Sequence, residues 1–100
     1  MITLGDLHDA TLLRINVDWR SAELACTFRV QVRGTRLVKL LGTQLTSLVC
    51  PKMSPWGQSV SVNEISVCDA ESGRALKIEM QSGDVIEARV GDVVITSERE

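Results

Sequence analysis

From Arg74 to Val90 the chain alternates: Leu76, Ile78 and Met80 share one parity against Lys77, Glu79 and Gln81, and after Ser82-Gly83-Asp84 the pattern resumes as Ile86, Ala88 and Val90 against Glu87 and Arg89. A period of two sends successive side chains to opposite faces, so the segment predicts a β-hairpin with one dry and one wet face. Keeping Met80 on the face of Ile86 and Ala88 requires an odd number of loop residues rather than a two-residue turn. In such a hairpin Glu79 facing Arg89 is the comfortable register, and Glu79 facing Glu87 is penalised.

The same period recurs upstream. Leu13, Ile15, Val17 and Trp19 occupy one parity against Arg14, Asn16, Asp18 and Arg20, which predicts a half-buried strand. Arg20-Ser21-Ala22 reads as a turn into a second, antiparallel strand carrying Leu24, Cys26, Phe28, Val30 and Val32 on one face. Gly34-Thr35 supplies the next turn. Residues 36–50 are ambiguous: Leu37, Leu41, Leu45 and Leu48 have helical spacing, while the Thr and Val content and Gly42 suit a strand with a bulge at the glycine. Two prolines, Pro51 and Pro55, confine 51–57 to a loop. Beyond it Val60 and Val62 share one parity and Ile65 and Val67 the other, so a bulge is expected near Asn63-Glu64. A short apolar run, Val93-Val94-Ile95, closes the series.

Roughly seven short strands at this spacing predict a single all-β domain over residues 1–100, built as an antiparallel sandwich or a partly closed barrel. A helix over 36–50 would make the fold α+β instead. One hundred residues suffice for one contiguous core, and 44% apolar against 24% charged residues is an ordinary globular balance.

The formal charge of -2 is uneven, with six Lys/Arg against four Asp/Glu in residues 1–50 and five against nine in 51–100. Nucleic-acid binding wants clustered basic residues and is not expected, because Arg29, Arg33 and Arg36 at a strand end read as a solvated rim. No apolar run is long enough for a membrane-spanning helix. The opening Met1 to Asp6 lacks the basic and apolar regions of a secretory signal. Cys26, Cys50 and Cys68 form no C-x-x-C pair, which fits free thiols in a reducing cytoplasm and, with a lone histidine, offers no local zinc spacing. No cofactor motif occurs.

Five residues stand out as candidates for binding. His8-Asp9 sets a neutral-pH proton carrier beside a carboxylate, although neighbours on an extended segment point apart and such a pair also serves backbone hydrogen bonds. Trp56, with Met53, lies in a loop stiffened by prolines, and a stiff aromatic loop loses little entropy on binding; with three aromatic residues in the chain, Trp56 could equally fill the core. Trp19, sharing a parity with Leu13, Ile15 and Val17, is expected in the core. Asp84, in Ser82-Gly83-Asp84, could face an ion but is more often part of a hairpin tip. Ser59 and Ser61 lie outside any nucleophile-elbow motif. Acid–base or nucleophilic catalysis needs convergent titratable groups, and one histidine with no tyrosine argues against an enzyme.

Leu7-His8-Asp9-Ala10, Pro55-Trp56-Gly57-Gln58-Ser59 and Ser82-Gly83-Asp84 together resemble a group of small bacterial all-β proteins without an assigned activity. The His-Asp pair and the alternating strands are also loosely similar to bacterial immunity proteins. The first resemblance implies a bacterial, cytoplasmic module whose characteristic residues sit at turns; the second implies a binder whose acidic or aromatic surface plugs a toxin. The expected function is therefore a non-enzymatic interaction module, with an unidentified protein partner or a second copy docking through a sheet edge, and with Glu64, Asp69 and Glu71 as further contacts. The alternative is a small-ligand binder or enzyme with His8, Asp9 and Asp84 at the mouth of a cavity.

Overall fold

A computed structural model describes residues 4–31, 34–50, 61–71 and 73–99 of the chain. A short 3-10 helix, Leu4–Leu7, precedes eight strands: β1 (Thr11–Asp18), β2 (Glu23–Gln31), β3 (Thr35–Thr43), β4 (Ser47–Val49), β5 (Val62–Ala70), β6 (Gly73–Met80), β7 (Val85–Val90) and β8 (Asp92–Arg99). They form two four-stranded antiparallel sheets, ordered β1-β2-β3-β8 and β4-β7-β6-β5, stacked as a sandwich rather than closed as a barrel. The 36–50 segment holds most of β3, a bend at 44–46 and β4, so the helical alternative does not hold: the leucines of β3 alternate, with Leu40 buried and Leu37 and Leu41 on the opposite face.

The Arg74–Val90 hairpin forms as its pattern predicts. Met80 N donates to Asp84 O at 2.8 Å and Gly83 N to Met80 O at 2.9 Å, leaving a three-residue loop, Gln81-Ser82-Gly83. Gly83 has φ +98°, the conformation such a loop demands at its last residue. Met80, Ile78, Ile86 and Ala88 meet in the core. The register differs from the charge-based expectation: Glu79 faces Val85, and Lys77 faces Glu87, with Nζ 4.0 Å from Oε1. The turn fixes the register before surface charges can choose one.

The bulge expected near Asn63-Glu64 is present, since Val62 pairs with Met80 while Glu64 pairs with Glu79. It lets Val62 and Ile65, three residues apart, both enter the core. A second bulge, at Leu13, was not visible in the alternation. Leu12 pairs with Phe28 and Arg14 with Thr27, so Leu12 is buried and Leu13 is the extra residue. Beyond the bulge Ile15 and Val17 pair with Cys26 and Leu24, Ile15 half-buried and Val17 41% exposed at the sheet edge, and the chain turns after Asp18. Trp19 therefore stands 83% exposed at the hairpin tip instead of joining the core.

Gly42 is not a bulge; it sits in regular register between Leu24 and Val93. Its missing side chain admits β7 from the other sheet, for a Cβ here would stand 2.8 Å from Val90 Cγ1. The reason lies at the corner of the fold. The β3–β8 ladder ends at Thr43–Asp92, and the β4–β7 ladder begins at Ser47–Arg89. Between them Gly91 N donates to Thr43 O at 2.7 Å and Thr46 N to Arg89 O at 2.9 Å, so one antiparallel pairing bends from the first sheet into the second. Gln44, with φ +56°, absorbs the bend.

The core cluster draws on both sheets, with Phe28, Val38 and Leu40 against Leu76, Ile78 and Ile86, and Leu7 of the 3-10 helix fully buried at one end. Cys26 lies within it, and burial, with a smaller push from Cys50, raises its thiol pKa to about 12. Cys26 is thus an inert packing residue at neutral pH. All three cysteines are free. Among the described residues no helix is long and apolar enough to cross a membrane.

Candidate functional site

The 3-10 helix lies against β5 and ends in His8-Asp9, where Asp9 adopts φ +66° and reverses the chain into β1. Backbone bonds fasten this reversal to the other sheet: Asp9 N donates to Val62 O at 2.8 Å and Val62 N to Ala10 O at 2.9 Å. The side chains add to the stitching. His8 Nδ1 is 2.6 Å from Asn63 O, and because a carbonyl only accepts, Nδ1 carries the proton. Asp9 Oδ1 accepts a hydrogen bond from the Gln81 amide, whose backbone N also donates to Ser61 O at 3.0 Å. The Asn63 amide, displaced by the bulge, donates to Glu79 Oε1 and so relieves the juxtaposition of Glu64 and Glu79 on adjacent strands.

Chemically this arrangement is an open clasp. His8 Nε2 stands 3.6 Å from Asp9 Oδ2, with the two side chains 59% and 68% exposed. An ion pair that wet contributes little, and nothing around it excludes water as a proton-transfer site requires. The adjoining recess, about 370 Å³, is shallow and bounded by Leu4, Gly5, His8, Asn63, Glu64 and Ile65. The His8 and Asp9 side chains approach each other, but each has one polar atom committed elsewhere, His8 Nδ1 to Asn63 O on the β5 bulge and Asp9 Oδ1 to the Gln81 amide beyond β6.

Asp84 stands apart from this pair. It is 9% exposed at the β6–β7 tip, where its backbone N and carboxylate both engage Ser82 Oγ at 3.3 Å. Met53 and Trp56 lie outside the described residues. Glu64, Asp69 and Glu71 are exposed along β5 and its following turn. No group of three or more His, Cys, Asp or Glu among the described residues is placed to hold a metal ion.

The feature that sequence reasoning missed lies along β1 and on the turn that follows it. Among the described residues the large hydrophobics left exposed are Leu13, Val17, Trp19, Val49 and Val94, and all lie on the edge strands β1, β4 and β8 or on the turn that follows β1. Three of them belong to β1 and its turn. That turn is stiff: Asp18 Oδ1 accepts from Arg20 N and Ser21 N, each at 3.1 Å, and Ser21 Oγ donates to Glu23 Oε1 at 2.9 Å. Ala22, at φ +57°, passes its carbonyl to Leu45 N at 2.8 Å, fastening the turn to the corner of the sandwich. The signal available in the sequence was Asp18 followed by Trp19-Arg20-Ser21, an Asx turn that ends the strand before the tryptophan.

Neither a family model nor a curated protein matches this sequence.

Proposed function

We propose that this chain is a non-enzymatic protein-interaction module that receives a partner along the open edge of β1, with Trp19 as the anchor. The observation that carries the reading is the 83% exposure of Trp19 on a hydrogen-bonded turn, next to an edge strand that also exposes Val17 and Leu13. Exposing such a side chain wastes the burial energy that a core position would return, whereas a rigid aromatic anchor loses little entropy when a partner covers it. The backbone of β1 beyond Thr11 has no neighbour on its outer side among the described residues, so an extended segment can add to the sheet there by main-chain hydrogen bonds. The partner is a protein presenting such a segment. The cytoplasmic setting is part of the same proposal, supported by three free thiols. The loose likeness to bacterial immunity proteins agrees with a binding role, with a toxin as the partner class.

The test is affinity capture from the source lysate by the wild-type chain and by Trp19→Ala and Val17→Lys, with ultracentrifugation of the purified chain alongside. Retention of one protein by wild type and its loss in both variants supports the reading; equal retention by all three overturns it. A concentration-dependent dimer broken by Val17→Lys would identify the partner as a second copy. The alternative, a ligand site at His8 and Asp9, draws on the recess beside them and on the exposed pairing of the imidazole Nε2 with Asp9 Oδ2. It predicts that His8→Ala abolishes ligand binding at unchanged melting temperature.

A further inference from the structure

Laid antiparallel against a second copy of itself, β1 is complementary to its own sequence. When two identical strands pair this way in one continuous sheet, opposed side chains must point to the same face. The two-fold axis is then normal to the sheet, and one residue faces its own copy. Each possible register is named by that residue. A register about Arg14 sets that cation against itself, and one about Val17 opposes Arg14 to Arg20. A register about Ile15 places Asp18 opposite Leu12, which is buried, and one about Leu13 calls on Thr11, already bridged to Ser61.

About Asn16 the strand matches itself. Arg14 of each copy faces Asp18 of the other, Ile15 faces Val17, and Trp19, just past the strand, comes level with Leu13. Arg14 and Asp18 share one face of β1 with Asn16, while Ile15 and Val17 share the face of Cys26 and Leu24. A single register thus gives opposite charges on one face and apolar pairs on the other, and symmetry makes each contact occur twice.

The free strand is prepared for this pairing. Arg14, Asn16, Val17 and Asp18 are exposed, and neither Arg14 nor Asp18 forms an ion pair among the described residues. Asp18 spends Oδ1 on Arg20 N and Ser21 N, which holds the carboxylate in place and leaves its second oxygen for a guanidinium. The opposite edge of the same sheet, β8, fails the comparison. About Ile95 it opposes Asp92 to Glu98, and about Thr96 it sets Val93 and Val94 against Arg99 and Glu98.

We infer that the occupant of the β1 edge is β1 of a second copy of this chain, paired antiparallel about Asn16, so that the two first sheets join as one. The inference rests on the reading of β1 as the receiving edge and names what it receives. Because the contact is the same on both copies, it closes at two and leaves no β1 edge open to a third.

The experiment is sedimentation velocity of the full chain from about 1 μM to about 1 mM, the span of weak association, joined to cysteine crosslinking. The expected result is a shift from monomer toward dimer and no further. Arg14→Asp, which sets two carboxylates against each other twice over, and Val17→Lys each weaken the dimer by about tenfold or more. The register is read by crosslinking with Cys50 and Cys68 changed to serine, since both are exposed. Opposed Cα atoms in an antiparallel ladder lie about 4.5 or about 5.5 Å apart, within the reach of a disulfide. Asn16→Cys therefore crosslinks to its own copy under oxidised glutathione, and Arg14→Cys, which lies opposite Asp18, does not. A dimer that forms without the Asn16→Cys crosslink, or that Arg14→Asp leaves intact, would overturn the register and with it the inference; growth beyond two copies would do the same. A chain that stays monomeric, while Trp19→Ala still loses a protein that wild type captures, removes the second copy and leaves the edge reading standing. A monomer that captures nothing through β1 ends both.

Discussion

The two outer strands nearest the N-terminal segment, β5 and β1, are handled in opposite ways. On β5 the edge is covered by the 3-10 helix, kinked by the Asn63 bulge and lined with Glu64, Asp69 and Glu71, and it exposes no large hydrophobic residue. On β1 the bulge sits near the start, the rest of the strand is unpaired on its outer side, and Leu13, Val17 and Trp19 face solvent. Cover, bulge and charge are the devices by which β proteins prevent unwanted strand pairing. A chain that applies all three to one edge and leaves apolar residues on another is protecting its architecture at the first and keeping the second available. The His-Asp pair belongs to the protected edge, the tryptophan turn to the available one.

The contrast is broken most severely by removing the plug under the covered edge. Leu7→Ala empties a fully buried position between the 3-10 helix and the core, and a loss of about 3 kcal/mol in urea unfolding is expected, with faster amide exchange along β5.

Alkaline pH tests the core that both edges share. The folded pKa of Cys26 is raised to about 12 from an ordinary 9.0, so its stabilising contribution is complete below pH 9 and is lost as pH rises toward 12, because the unfolded chain releases the proton first. Unfolding monitored at a series of pH values should show a decline on the order of a few kcal/mol across that window, and Cys26→Ala, less stable at neutral pH, should lack this part of the decline.

His8→Ala sharpens the comparison at smaller scale. Loss of the bond to Asn63 O loosens the clasp and should cost about 1 kcal/mol by thermal or urea unfolding, without affecting capture of a partner at β1. The smallest effect is expected at Lys77→Met: its pairing with Glu87 is half exposed on both sides and near the distance limit, so a change under about 0.5 kcal/mol should be measured.

Much of this fold can be read from residue order, and the boundary of legibility has physical causes. The Arg74–Val90 hairpin, its odd loop and the Asn63 bulge follow from parity, because a slip of one residue would turn a whole apolar set to water. The Leu12–Leu13 pair defeats the same logic. Either leucine could be the core residue, and the choice belongs to the pairing with Phe28 across β2. Gly42 is legible as unusual but not as a corner, since the side chain it accommodates, Val90, comes from the other sheet. Of the candidate sites, the proximity of His8 to Asp9 is given by sequence, while their joint attachment to Asn63 and Gln81 depends on a bulge 55 residues away. The exposure of Trp19 was hidden because alternation alone does not say where a strand ends.

The account rests on the difference between the two edges, and the most direct measurement is a side-by-side capture from source lysate by wild type, Trp19→Ala and His8→Ala, each first verified as folded by its unfolding curve. Trp19→Ala is expected to keep its stability within about 0.5 kcal/mol, as an exposed side chain should, and to lose the captured protein that wild type and His8→Ala both retain. Capture that survives in Trp19→Ala and disappears in His8→Ala would contradict the account and make the clasp the working surface.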